Sequence, residues 1–325
     1  MAASVRVIPR RAGRLLAGLA LCMATVPHVP VAAVPQAQAR PASTEWTLRA
    51  GETRLHVSVQ GTRDPQRLAE LRLWLEEAAH AARLPSGRFP LAQARVIVRE
   101  IDSRSRSPVP WGQTRRDDDV AVLLFVRRGA SLDALRADWT AVHEFAHLAH
   151  PYLGEDGRWL AEGLASYQQN VLRARAGLLG ADDAWRRLDA GFRRGEAVGP
   201  GPSIEALGRG GTMRTYWAGA LYWLEADIAL RRDHGRSLQQ VLDRYAGCCL
   251  DGTDWLSPTD FVRALDRAAG VEVFEALYRR HRGYRAMPSP DAAYAALGIT
   301  REGTGLRFAG DDRARALRRA VMTGP

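Results

Sequence analysis

The chain has 325 residues, 46% of them hydrophobic and 25% charged, which is enough for one large globular core or two smaller ones and excludes a disordered chain or a small disulfide scaffold. All 46 basic residues are arginine and stand against 36 acids, for a formal charge of +10. The arginines are spread among Asp and Glu along the whole length, so the charge reads as compositional bias, and no nucleic-acid partner is expected.

Residues 1–39 read as a signal peptide. Arg6, Arg10, Arg11 and Arg14 come without an acid, an apolar run covers 15–26, and small-residue cleavage sites follow at Val31-Ala32-Ala33 or Ala37-Gln38-Ala39. Pro27, His28 and Pro30 cut the apolar run short of the roughly 20 residues a spanning helix needs. The expectation is export to the periplasm or beyond, with no stable membrane span.

Residues 40–130 give mixed signals. Residues 46–59 alternate apolar and polar around Gly51-Glu52, as a hairpin would, and 65–84 carry Leu68, Leu71, Trp74, Leu75 and Ala78 at helical spacing. Residues 94–98 and 120–126 read as buried strands, and Asp117-Asp118-Asp119 before the second as a solvated turn. From 131 to 325 helices are expected over 132–150, 158–178, 181–194, 215–232, 237–246, 258–269 and 271–281, with a Gly- and Pro-rich loop at 195–211. The expected fold class is α+β, with a mixed, β-containing N-terminal lobe and a mainly helical C-terminal lobe. Cys248 and Cys249 are neighbours, which disfavours a bond between them, and are expected simply to pack near a helix end.

The segment with chemistry in it is His143-Glu144-Phe145-Ala146-His147. It lies in the helix expected over 132–150, which Ser131 can cap and whose Leu135, Trp139, Val142, Ala146 and Ala149 form a core-facing stripe. Two histidines one turn apart can reach one metal ion, and Glu144 projects beside it, where a carboxylate can take a proton from activated water. A catalytic zinc needs a third protein ligand and an open position. Glu162, in Trp159-Leu160-Ala161-Glu162-Gly163-Leu164-Ala165-Ser166-Tyr167, could fold back across the turn at 151–157 to supply it. His150 is two turns from His143, about 10 Å along a helix and too far to share that ion. It is expected at the helix end, meeting free carbonyls.

With these motifs the sequence resembles the gluzincin metallopeptidases, and the wording around Glu162 is similar to that of the glycyl aminopeptidase and aminopeptidase N families. The resemblance spans roughly 139–281. It implies a thermolysin-like catalytic unit, one Zn2+ held by His143, His147 and Glu162, and Glu144 as general base and acid. Tyr216, in Tyr216-Trp217-Ala218-Gly219, resembles the families' Tyr-x-Lys-Gly segment and is by that likeness the donor to the oxyanion of the tetrahedral intermediate. Ala218 stands where the families carry lysine, the stretch from His147 to Glu162 is shorter than theirs, and their amine-holding Gly-x-Met-Glu-Asn segment is not found. The implied function is an exported zinc metallopeptidase acting on peptides or proteins through zinc-activated water. Aminopeptidase action, endopeptidase or other amidohydrolase action, and an inactive zinc-bearing peptide-binding envelope protein all stay open.

Overall fold

The computed structural model describes residues 44–208 and 210–324. The signal-peptide features at 1–39 lie outside them. Strands β1 (Glu45–Ala50) and β2 (Thr53–Gln60) form the expected hairpin, and α1 (Pro65–Ala81) follows, with the Asp64 side chain accepting from the Gln66 amide at its start. Then come β3 (Gln93–Ile101), β4 (Trp111–Arg116) and β5 (Val120–Arg127). The sheet order is β1-β2-β3-β5-β4, parallel from β2 through β3 to β5 and antiparallel at both edges. Val96, Val98, Val122, Leu124 and Val126 are fully buried in the cluster that joins this sheet to α1.

The helix expected over 132–150 is broken. Ser131 caps only α2 (Leu132–Ala137), its hydroxyl accepting from the Ala134 amide. At Asp138 the backbone is extended, and its carboxylate accepts from the Thr140 amide, restarting the helix as α3 (Thr140–Ala146), which tightens into a 3₁₀ turn at His147–Ala149. Trp139, placed in the buried stripe by periodicity, is 41% exposed because it stands at this break.

The remaining helices are α4 (Arg158–Arg175), α5 (Ala181–Glu196), α6 (Thr212–His234), α7 (Leu238–Cys248), α8 (Pro258–Ala269), α9 (Phe274–His281), α10 (Asp291–Leu297) and α11 (Asp312–Thr323). The hairpin of β6 (Ile299–Glu302) and β7 (Gly305–Phe308) lies between the last two. Helices α4 and α6 cross so closely that a Cβ on Gly219 would sit 2.0 Å from the Trp159 carbonyl oxygen, and one on Gly163 2.3 Å from the Gly219 carbonyl carbon. Two glycines at the contact bring Glu162 and Tyr216 to one place.

Cys248 and Cys249 are joined by a disulfide, contrary to expectation. The backbone leaves helical geometry at Cys249, and this turn lets neighbouring sulfurs meet. Among the described residues no helix is long and apolar enough to cross a membrane.

Candidate metal centre and active site

Helix α3 is buried along its whole length and lies against the edge strand β4. The inward residues of that strand are Gly112, Thr114 and Arg116. A Cβ on Gly112 would come within 2.7 Å of both Glu144 Cγ and Thr140 Cγ2, so glycine is what lets the helix approach. Thr114 donates its hydroxyl to Glu144 Oε2 at 2.9 Å and reaches the Glu144 carbonyl at 3.0 Å. Arg116 donates to the carbonyls of His147 and His150 at the end of the helix. Burial lowers its pKa to about 10 while the Glu144 charge opposes the shift, which leaves a cation at neutral pH.

His143, His147 and Glu162 converge. Glu162 Oε2 is 3.4 Å from His143 Nε2 and 3.6 Å from His147 Nε2, and all three donor atoms lie within 4.8 Å of one another. Oε2 is buried without a hydrogen-bond partner. Two tetrahedral zinc ligands at about 2.0–2.1 Å from the ion stand roughly 3.3–3.4 Å apart, close to the spacings seen. Two imidazole nitrogens and a carboxylate oxygen also form a donor set suited to zinc. The residues therefore fit the ion.

Their neighbours fix how the rings point. Gln169, seven residues beyond Glu162 on α4, places Oε1 2.8 Å from His143 Nδ1, so that nitrogen carries the proton and Nε2 keeps its lone pair. His150 Nδ1 is 2.7 Å from the Pro151 carbonyl and its Nε2 2.9 Å from His147 Nδ1. A proton on His150 Nδ1 leaves Nε2 to accept from His147 Nδ1–H, again freeing the Nε2 of His147. Burial, aided by the Arg116 charge, pushes the His150 pKa well below its ordinary value and keeps the ring neutral. Burial also works against a charged His143, but Glu162 and Glu144 outweigh it and its pKa is raised. Burial would raise the Glu162 carboxyl, yet the two imidazoles hold it well below the usual range. The negative potential that holds a proton here would also hold a cation.

Tyr216 completes the floor. Its ring stacks on His143 with centroids 6.0 Å apart, and the Arg158 guanidinium lies 5.9 Å from its centre. Burial, then the Glu162 carboxylate, push the phenol pKa up, so the hydroxyl stays protonated and able to donate. Together these groups line a cleft of about 430 Å³ whose wall also includes Trp111, Gln113, Tyr152 and Glu155. The tight return from His147 to α4 runs through a loop pinned by Tyr152, whose amide donates to the Asp254 carbonyl and whose carbonyl accepts from Leu256.

All five candidate residues therefore share one cleft. Sequence reasoning missed Thr114, Arg116 and Gln169, and it placed His150 at the helix end without seeing that it holds His147. Gln169 had a signal, being two turns from Glu162 on the same helix face. Arg214 near Tyr216 is structural: it is buried and donates to the carbonyls of Gly199, Pro202 and Arg285. Asp119 and Asp117 pair on the surface with Arg95 and Arg115, as a solvated turn would.

Among solved structures, the chain is similar to an aminopeptidase N family protein from Idiomarina loihiensis, with a TM-score of 0.57 and 14% identity over 79% of this chain and 49% of that one. This is a gluzincin aminopeptidase-like fold. An M1 zinc metallopeptidase from Deinococcus radiodurans matches with a TM-score of 0.47 and 19% identity over 75% of this chain and 51% of that one. Yeast LTA4 hydrolase matches with 0.45 and 13% over 78% and 42%. The chain thus spans about half the length of these gluzincin-fold proteins. No protein-family model and no curated protein matches its sequence.

Proposed function

We propose that this chain is an exported zinc-dependent peptidase, with His143, His147 and Glu162 as the metal ligands. The observation that carries this reading is the convergence of two imidazole Nε2 atoms and an unpartnered, buried carboxylate oxygen beside Glu144, inside a cleft. Zinc bound there would supply a Lewis acid that polarises a carbonyl and makes water acidic enough to lose a proton near neutral pH.

The rest falls to the chain's own groups. Thr114 holds one oxygen of Glu144, leaving the other to take the proton of the attacking water and deliver it to the leaving amine. Tyr216, kept protonated, donates to the oxygen that gains charge as the carbonyl becomes tetrahedral. Strand β4 is the outermost of its sheet, so an extended peptide can pair along it and bring a carbonyl into the cleft. Export rests on the sequence of residues 1–39.

Cleavage of a mixed peptide library, followed by mass spectrometry, tests the reading. Glu144→Gln should retain zinc and lose turnover by about 10²-fold or more. A variant as active as wild type would refute Glu144 as the base. A zinc-loaded wild type without Glu144-dependent cleavage would favour the binding-protein reading. Acetylating the peptides separates aminopeptidase from endopeptidase, since only the former needs the free amine.

A further inference from the structure

Large hydrophobic side chains left in water are informative when they gather in one place. Among the described residues the exposed ones are Leu73, Trp111, Trp139, Tyr152, Val198, Met213 and Trp255, and all four aromatic members stand at the metal cleft. Trp111 and Tyr152 line it and are 53% and 48% exposed. Trp139 meets the His143 ring edge to face, with centroids 5.2 Å apart. Trp255, 61% exposed, comes within 3.1 Å of where a Cβ on Gly154 would be, and Gly154 lines the same cleft.

The Trp111 ring and the backbone that carries Tyr152 and Trp255 are held in place. Trp111 stacks on Phe125 at 4.8 Å and still keeps about half its surface in water. Tyr152 and Trp255 sit in two segments bridged by the backbone hydrogen bonds of Tyr152. Their positions also differ: Trp139 precedes the first ligand on α3, Tyr152 and Trp255 lie beyond the second, and Trp111 stands on β4. A chain lying over the ligands meets aromatic surface at both ends.

Resting on the peptidase reading, we infer that the cleft selects peptides with large aromatic or apolar side chains on either side of the bond to be cut, Trp111 and Tyr152 being the main specificity-determining residues. An apolar side chain that covers such a ring removes from water a surface now exposed on both partners, and aromatic pairs gain from stacking as well.

Binding is measured on the zinc-loaded Glu144→Gln protein by calorimetry, with acetylated pentapeptide amides carrying either two central Phe or only Ala. The Phe peptide should bind at least about tenfold more tightly. Trp111→Ala and Tyr152→Ala, each added to Glu144→Gln, should cut that ratio about fivefold, whereas Leu73→Ala, an exposed position on α1 that does not line the cleft, should leave it intact. Equal affinity for the two peptides, or a ratio that survives both cleft substitutions, would overturn the inference. Incubating the same peptides, with blocked and with free amino termini, with wild type separates the two claims. Selective binding with neither the blocked nor the free-amine form cleaved leaves the aromatic cleft standing and removes the peptidase. Cleavage of both peptides at equal efficiency does the reverse.

Discussion

Gln169 and His150 are not among the proposed metal ligands, yet each hydrogen-bonds the Nδ1 of a histidine that is. Losing such an outer partner commonly weakens a metal site about 10- to 100-fold. Gln169→Leu and His150→Phe should each lower zinc affinity in that range, read by competition with a chromophoric chelator, while the protein stays folded. Affinity equal to wild type would mean the two hydrogen bonds do not orient the ligands. His143, Glu144 and His147 were legible because one helical turn gives their spacing a chemical meaning, and Glu162 because its surrounding words resemble those of the gluzincin families. Thr114 and Arg116 were not, since a threonine and an arginine in a polar stretch carry no spacing of their own. Their role appears only once β4 is set beside α3.

Helix pairing decides whether those residues meet. At the crossing of α4 and α6, the atoms facing Gly163 and Gly219 are backbone, which cannot rotate away as a side chain can. Gly219→Ala should therefore destabilise the protein by about 3 kcal/mol, although the same change in an open helix stabilises by up to about 1 kcal/mol. Urea unfolding decides between them, and an unchanged or higher midpoint would contradict the packing. Strand β4 escaped the sequence reading because its inward face is Gly112, Thr114 and Arg116, serving a polar site instead of an apolar core. The break at Asp138 was hidden because Leu135, Val142 and Ala146 keep the apolar period across it. Short α10, the four-residue strands β6 and β7 and the arginine-rich α11 gave no period long enough to read.

Across the molecule, arginines that read as compositional bias are used as staples. Arg173 donates to the Ala137 carbonyl, Arg175 to that of Val321, and Arg318 to those of Leu297 and Ala309. Asp189 shows the ionic counterpart: it accepts from Arg193 at 2.7 Å, from Tyr294 at 2.8 Å and from Arg301 at 2.6 Å, joining α5 to α10 and β6. Burial would raise its pKa, but Arg193, Arg301 and Tyr294 lower it overall. A carboxylate whose folded pKa is depressed adds stability above its unfolded pKa and loses it as pH falls through the folded one. Asp189→Asn should thus cost about 3 kcal/mol at pH 7, with the gap to wild type closing below about pH 4. A gap independent of pH would show that shape, not charge, matters at this joint.

The claim on which the rest depends is that one zinc ion between His143, His147 and Glu162 sustains peptide hydrolysis. It is tested most directly by stripping the purified protein of metal and following peptide cleavage as zinc is titrated back, with Glu162→Ala alongside. Activity should vanish on stripping, rise in proportion to zinc and level off at one ion per chain, while Glu162→Ala should need far more zinc. Cleavage that persists in the stripped protein, or a Glu162→Ala titration that overlays the wild type, would contradict it.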